Sequence, residues 1–173
     1  MTGLSLTRAH ADDLDAVRSL LQAAGLPTDD VTPALLDAVV VARDAEGLAG
    51  CIAAEPLPAD GWALVRSLVV APYARRRGLG GRLLQAAHNR AQADGRPHLA
   101  LLTTTTAPFF VAHGYAPADR AGLPEGVRRH AQFASLCPSS AVCLVRHLAA
   151  PEAGASGRAE PPLSGALGAN RRR

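Results

Sequence analysis

Apolar and polar positions change period repeatedly along this chain, and each change marks a secondary-structure element. Leu4 and Leu6 alternate with Ser5 and Thr7, the two-residue period of a short, half-buried strand. Leu14, Val17, Leu20 and Leu21 then recur at helical spacing behind Asp12, Asp13 and Asp15, acids that the positive end of a helix favours. Gly25 and Pro27 end that helix. Thr32-Pro33 is a second helix start, with proline where its missing N–H costs nothing. By Val39-Val40-Val41 the chain is β-branched, so this helix is brief. Asp44-Ala45-Glu46-Gly47 and Pro58-Ala59-Asp60-Gly61 supply turns on either side of Leu48 to Leu57. Three successive antiparallel strands are predicted, the last from Trp62 to Val70.

Pro72 stops that strand. An arginine- and glycine-rich turn, Arg75 to Arg82, leads into a helix whose inner face carries Leu79, Leu83, Leu84 and Ala87, with Gly95 as its stop. His98 to Leu102 forms the next strand and runs into Thr103-Thr104-Thr105-Thr106. Strand, loop, helix and strand in this order form a crossover, which makes the two strands parallel and lays the helix on the sheet. Ala107 to His113 reads as a short helix with Phe109 and Phe110, closed by Gly114-Tyr115. A weak helical segment runs from Leu123 to Phe133, a loop from Ser135 to Ser140, and a last strand from Ala141 to Leu148. The predicted class is α/β in the mixed sense: a mostly antiparallel sheet flanked by helices, one domain over residues 1–149. Residues 150–173, rich in Pro, Ala, Gly and Arg without periodicity, are expected to be a disordered tail.

Bulk composition changes this picture little. At 173 residues the chain suffices for one core, and no apolar run approaches the roughly 18 residues of a membrane span. Of the net charge of +3, residues 150–173 contribute +2 through four arginines against two glutamates, leaving +1 for the rest. That balance, with six scattered aromatic residues, argues against nucleic acid and membrane as partners. The start of the chain lacks the basic and apolar blocks of a secretory leader. Three cysteines are too few and oddly numbered for a disulfide framework, so a cytoplasmic location is expected. His10, His88, His98, His130 and His147 show no metal-ligand spacing, and no metal is expected.

The turn before the second long helix carries the strongest chemical signal. A helix's first turn presents N–H groups without intrahelical partners, and glycines at 78, 80 and 81 let an anion approach them. Arg75, Arg76, Arg77 and Arg82 add charge suited to phosphate.

Arg75-x-x-Gly78-x-Gly80, placed between Leu68-Val69-Val70-Ala71-Pro72 and a leucine-rich helix, resembles the acyl-CoA motif of the GCN5-related N-acetyltransferase (GNAT) superfamily. Phe109-Phe110-Val111-Ala112-His113-Gly114-Tyr115 is similar to a later motif of the same superfamily. The resemblance implies the acyl-CoA N-acyltransferase fold and acetyl-CoA as co-substrate. Backbone groups of Leu68, Val69 and Val70 would pair with the pantetheine. Arg75, Arg76, Arg77, Gly78, Leu79, Gly80, Gly81 and Arg82 would hold the pyrophosphate, with Phe109, Phe110 and His113 completing the cofactor site. Leu101-Leu102-Thr103-Thr104 with Phe109-Phe110 and Leu123-Pro124-Glu125 is similar to the acetyltransferase domain of N-acetylglutamate synthases. Gln132 to Cys143 resembles a signature of the arsenic-resistance-associated N-acetyltransferases, which implies a glutamate-like amine such as arsinothricin as acceptor.

Two positions depart from the superfamily pattern. A Tyr that serves as general acid is replaced by Phe110, and a Glu that commonly deprotonates the amine is matched by Leu64. Glu55 is therefore the leading catalytic candidate, with His113 or ordered water as alternatives. Arg66 could clamp a substrate carboxylate bidentately, and the hydroxyls of Thr103, Thr104 and Thr105 could hold other amino-acid groups. The two missing groups raise the alternative of a CoA- or arsenite-binding sensor without turnover, with Cys137 and Cys143 as the arsenite candidates, and a peptide N-terminus is an alternative acceptor. A small-molecule amine is the expected partner, and a homodimer the candidate assembly.

Overall fold

The structure, a computed structural model, describes residues 3–149; the expected tail lies outside the described residues. Strands β1 (Ser5–Arg8), β2 (Val39–Asp44), β3 (Gly47–Pro56), β4 (Trp62–Val70), β5 (His98–Thr103), β6 (Ala116–Pro117) and β7 (Val142–His147) form one sheet in the order β1-β2-β3-β4-β5-β7-β6. Among the described residues four α-helices accompany it: α1 (Leu14–Ala23), α2 (Leu79–Ala93), α3 (Ala107–Ala112) and α4 (Glu125–Arg128). The β4–β5 pairing is parallel and the others are antiparallel, as the crossover through α2 requires.

Each face of the sheet has its own core. Leu79, Leu83, Leu84 and Ala87 of α2 pack on Ile52, Val65, Leu99 and Leu101. Val17 and Leu21 of α1, with Val31, Leu35 and Leu36, cover Val41, Cys51 and Val69 on the opposite face. Leu123, Val127 and Phe133 close the same sheet further along, over Leu64, Ala100 and Cys143. Full burial of each such leucine contributes roughly 1.5–3 kcal/mol.

The predicted elements recur with three differences, the first being that the two-residue strand β6, which pairs antiparallel with β7, was not among them. The helix expected from Leu123 to Phe133 is interrupted: α4 is one turn long, and Gln132–Leu136 forms a wide turn closed by the Cys137 amide on the Gln132 carbonyl at 3.1 Å. Gly126 explains the position of α4, because a side chain there would meet the Pro58 carbonyl oxygen at 2.0 Å. The segment expected to be a loop from Ser135 thus begins inside that turn. The brief helix after Thr32 is a 3-10 helix, Pro33–Ala38, with the proline in its first turn.

Two irregularities of β4 create the site. Cys51 pairs with Val69 and Ala53 with Arg66, so β4 spends three residues where β3 spends two. This bulge holds Ser67 at φ 58°, a left-handed conformation uncommon for serine, and the Ser67 carbonyl accepts the Cys51 thiol at 3.4 Å. On its other edge β4 pairs with β5 at Trp62, Ala63 and Leu64 and no further.

Candidate active site

Beyond Leu64 the two parallel strands part, and a cavity of about 680 Å³ fills the gap. Val65 to Val70 form one wall and Leu101 to Thr106 the other. Backbone groups of β4 that would bond β5 in a continuous sheet are left for a ligand.

One end of the cavity meets the N-terminus of α2. Gly78 caps that helix at φ 72°, and Arg76 before it also takes a left-handed φ, 62°. The backbone therefore curls so that the first-turn amides face outward. Gly80 lines the cavity, and a Cβ there would sit 3.5 Å from the Phe109 ring. Arg75 also lines it, its Nε donating to the Val70 carbonyl at 3.0 Å, while Arg76, Arg77 and Arg82 are exposed. Leu79 points into the core. Phe109 and Phe110 stand edge to face in the cavity wall. His113 is outside the lining: its Nδ1 donates to the Phe109 carbonyl at 2.8 Å, and its Nε2 would lie 3.2 Å from a Cβ on Gly81. Leu68, Val69 and Val70 all line the cavity, with Val69 buried toward α1.

At the other end Arg66, Gln132 and Cys137 line the wall with Gly25, Leu26 and Pro27. The Arg66 guanidinium is buried, and each of its three nitrogens donates. Its Nη1 and Nη2 donate to the two Asp30 oxygens at 2.5 and 2.6 Å, Nη1 donates to Glu55 at 3.2 Å, and Nε donates to the Ser67 hydroxyl at 3.3 Å. Glu55 also accepts from His130 Nε2 at 3.1 Å, and Asp30 from Gln132 Nε2 at 3.2 Å. Glu55 itself is outside the cavity wall. Burial alone would raise the carboxyls of Asp30 and Glu55, but Arg66 and Gln132 around the first, and His130 and Arg66 around the second, hold both below their ordinary values. Burial pushes the Cys137 thiol up, and it donates to Gln132 Oε1 at 3.4 Å.

Thr103, Thr104 and Thr105 all line the cavity. Thr103 also has a local duty, because its Oγ1 accepts the Thr106 amide at 3.0 Å and closes the turn into α3. Asp30, His130 and Gln132 were not among the residues the sequence singled out for the site. Thr28-Asp29-Asp30 reads as turn chemistry, and Gln132 lies 102 positions from the carboxylate it meets. Among the described residues no cluster of three or more His, Cys, Asp or Glu side chains could hold a metal, and no helix is long and apolar enough to cross a membrane.

The sheet is mixed and opens between two parallel strands, with a glycine-rich helix start at the mouth of the gap. Residues 36–117, 82 of the 173 positions, match the family model of the acetyltransferase (GNAT) domain. An 80-residue stretch is 39% identical to an amino-acid acetyltransferase of Ralstonia nicotianae, covering 46% of this chain and 18% of the relative. The fold is shared with N-acetylglutamate synthase of Neisseria gonorrhoeae, solved with coenzyme A and N-acetyl-glutamate: TM-score 0.74 and 24% identity over 86% of this chain and 36% of the synthase. It is also shared with Rv2747 of Mycobacterium tuberculosis, solved with CoA: TM-score 0.72 and 18% identity over 84% of this chain and 99% of that one. The chain thus spans less than two fifths of the Ralstonia and Neisseria proteins.

Proposed function

We propose that this protein is an acetyl-CoA-dependent N-acetyltransferase that acetylates the α-amino group of an amino-acid-like small molecule by direct transfer in a ternary complex. A glutamate analogue such as arsinothricin is the acceptor we favour. The observation that carries this reading is one continuous cavity with an anion cradle at one end and N–H donors grouped around a carboxylate at the other. The names of the relatives support it, since one is an amino-acid acetyltransferase and another was solved with N-acetyl-glutamate.

The residues of the cradle fit acetyl-CoA. Amides of the first turn of α2 would take the pyrophosphate, and Gly80 leaves room for it beneath Phe109. Acetyl-CoA supplies the activated acyl group. The unpaired edge of β4 beyond Leu64 would bind the pantetheine arm and direct an N–H at the thioester carbonyl, where charge develops when the amine attacks. Holding amine and thioester side by side in the gap supplies much of the acceleration. Phe110 can donate no proton, so CoA leaving from this site would take its proton from water. Glu55 is our proposed acceptor of the amine proton, reached through water because its side chain stands outside the wall. Three free cysteines support a reducing, cytoplasmic setting.

The test is direct. Purified protein is incubated with acetyl-CoA and either glutamate or arsinothricin while free CoA thiol is followed. Acceptor-dependent thiol release is expected, and no release with any amino acid overturns the reading.

A further inference from the structure

Asp30 occupies a seat built for a carboxylate. Arg66 gives it two parallel N–H bonds and Gln132 a third. Both donors line the cavity, whereas Asp30 does not, and the Arg66 side chain is only 4% exposed. A carboxylate arriving through the cavity would meet donors already arranged for its shape and charge. Asp30 is carried by the irregular segment 24–32, whose Gly25, Leu26 and Pro27 form part of the cavity rim. That segment is fixed at both ends. The Leu26 amide bonds the Leu21 carbonyl at 3.0 Å, and the Val31 carbonyl accepts two N–H bonds from Arg18 at 2.9 and 2.5 Å. Between these anchors, the Asp30 side chain is what ties the segment to the sheet.

We infer that Asp30 is an internal stand-in for the acceptor's carboxylate and sets acceptor specificity by competing with it for Arg66 and Gln132. This rests on the N-acetyltransferase reading above. Exchange of one carboxylate for another leaves the buried guanidinium compensated at every stage, because Glu55 stays in place and the charge count at Arg66 is unchanged. An acceptor without a carboxylate at that point offers no such exchange and leaves Asp30 seated. The segment 24–32 therefore loosens when an acidic acceptor binds.

Asp30→Asn tests this. The amide keeps the volume, cannot form the bidentate ion pair, and leaves Arg66 balanced by Glu55, so the fold is retained. With acetyl-CoA saturating, the KM for glutamate is expected to fall about fivefold or more while kcat stays within about twofold. Glutamate amidated at one of its two carboxylates should lose that gain, which identifies the group seated on Arg66. An unchanged KM for glutamate overturns the inference, as does an equal fall for glutamate and both of its amides. Hydrogen exchange on the CoA-bound wild type gives a second readout that does not depend on the variant. Amides of residues 28–31 should exchange faster when glutamate is added, and unchanged or slower exchange overturns the inference. If the wild type acetylates no amino acid, the parent reading falls as well. If it acetylates glutamate and Asp30→Asn changes nothing, only the competition falls.

Discussion

Lowering the pH from 7 to 5 should destabilise this fold by about 2 kcal/mol through one residue, His88. It lies on α2 at 3% exposure, with Nε2 2.9 Å from the Tyr115 hydroxyl and Nδ1 3.5 Å from Arg146 Nη1. An arginine can only donate, so Nδ1 accepts and the ring proton sits on Nε2, facing Tyr115. A second proton would have to enter beside the Arg146 cation in an interior that does not solvate it. Burial first, and then the charges of Arg146 and His113, pull His88 down from 6.5 to about 4. In the unfolded chain the ring takes a proton below about pH 6.5. The neutral, packed state therefore contributes fully above that value and loses ground as pH falls toward 4. At pH 5 the unfolded residue is protonated about thirty to one and the folded one about one to ten, a difference of about 2 kcal/mol. With a urea slope of about 2 kcal/mol/M, the midpoint should drop by about 1 M. Far-UV circular dichroism, which follows the loss of the sheet and helices, reads the midpoint. Asp13, Asp30 and Glu55 are all held low, so their contributions are lost only as pH falls through still lower values and do not enter this window. His88→Gln, which can still donate to Tyr115 and accept from Arg146, should flatten the profile between pH 7 and 5. A wild-type midpoint that holds steady over that range would refute the reasoning.

Gly80→Asp should abolish acetyl-CoA binding in a calorimetric titration while the unfolding midpoint barely moves, because its Cβ finds ordinary contact distance to Phe109 but its charge opposes the phosphates; retained affinity would place the pyrophosphate elsewhere. Gly126→Ala should cost about 1–3 kcal/mol or more in urea unfolding, since the new methyl would lie inside contact distance of the Pro58 carbonyl and α4 must move; an unchanged midpoint would show that the turn yields freely. Glu55→Gln should lower kcat about 100-fold and leave acetyl-CoA affinity unchanged. Because Glu55 already titrates below the usual carboxylate value, the rate of the wild type between pH 6 and 9 should rise with deprotonation of the acceptor amine; a kcat unaffected by the substitution would leave Glu55 with only its bonds to Arg66 and His130.

What could be read from the sequence is what local chemistry dictates. The leucine period of α2, the turns at Asp44–Gly47 and Pro58–Gly61, and the crossover into β5 follow from spacing, Gly and Pro, and connection length. The glycine loop was legible for the same reason, since a helix start and its glycines are contiguous, and the GNAT resemblance drawn from it agrees with the family match over residues 36–117. At the other end Arg66 and Glu55 could be singled out from the sequence, but the network that joins them to Asp30, His130 and Gln132 could not. Asp30, Glu55, Arg66 and His130 come from four separate segments, and no short-range pattern records that a turn aspartate folds onto a strand arginine 36 positions away. The wide turn at Gln132–Leu136 is equally non-local: it is fixed by where the Gln132 side chain must reach, toward Asp30 and Cys137, rather than by helix propensity.

The bulge at Ser67 joins the two ends of the site. On a regular strand residues 64, 66, 68 and 70 would share a face. Here Ala63 and Val65 pack toward α2 and Leu64 toward the α4 side, yet Leu68 and Val70 also lie against the α2 core, and Val69 lies with Val17 and Leu21 of α1. One extra residue has reversed the parity of the strand. Arg66 reaches Asp30 from the face that ordinary alternation gives it, and the reversal puts Leu68, two residues later, on the opposite face, beside α2. Without it, a strand long enough to reach the loop at Arg75 would carry Leu68 and Val70 on the same face as Arg66, with their apolar side chains among the charges of Asp30 and Glu55 and away from α2. The left-handed φ at Ser67 is a local strain that the thiol of Cys51, bonded to the Ser67 carbonyl, helps to hold. The two ends of the cavity thus depend on the same backbone irregularity, at a stretch of β4 that is free of β5.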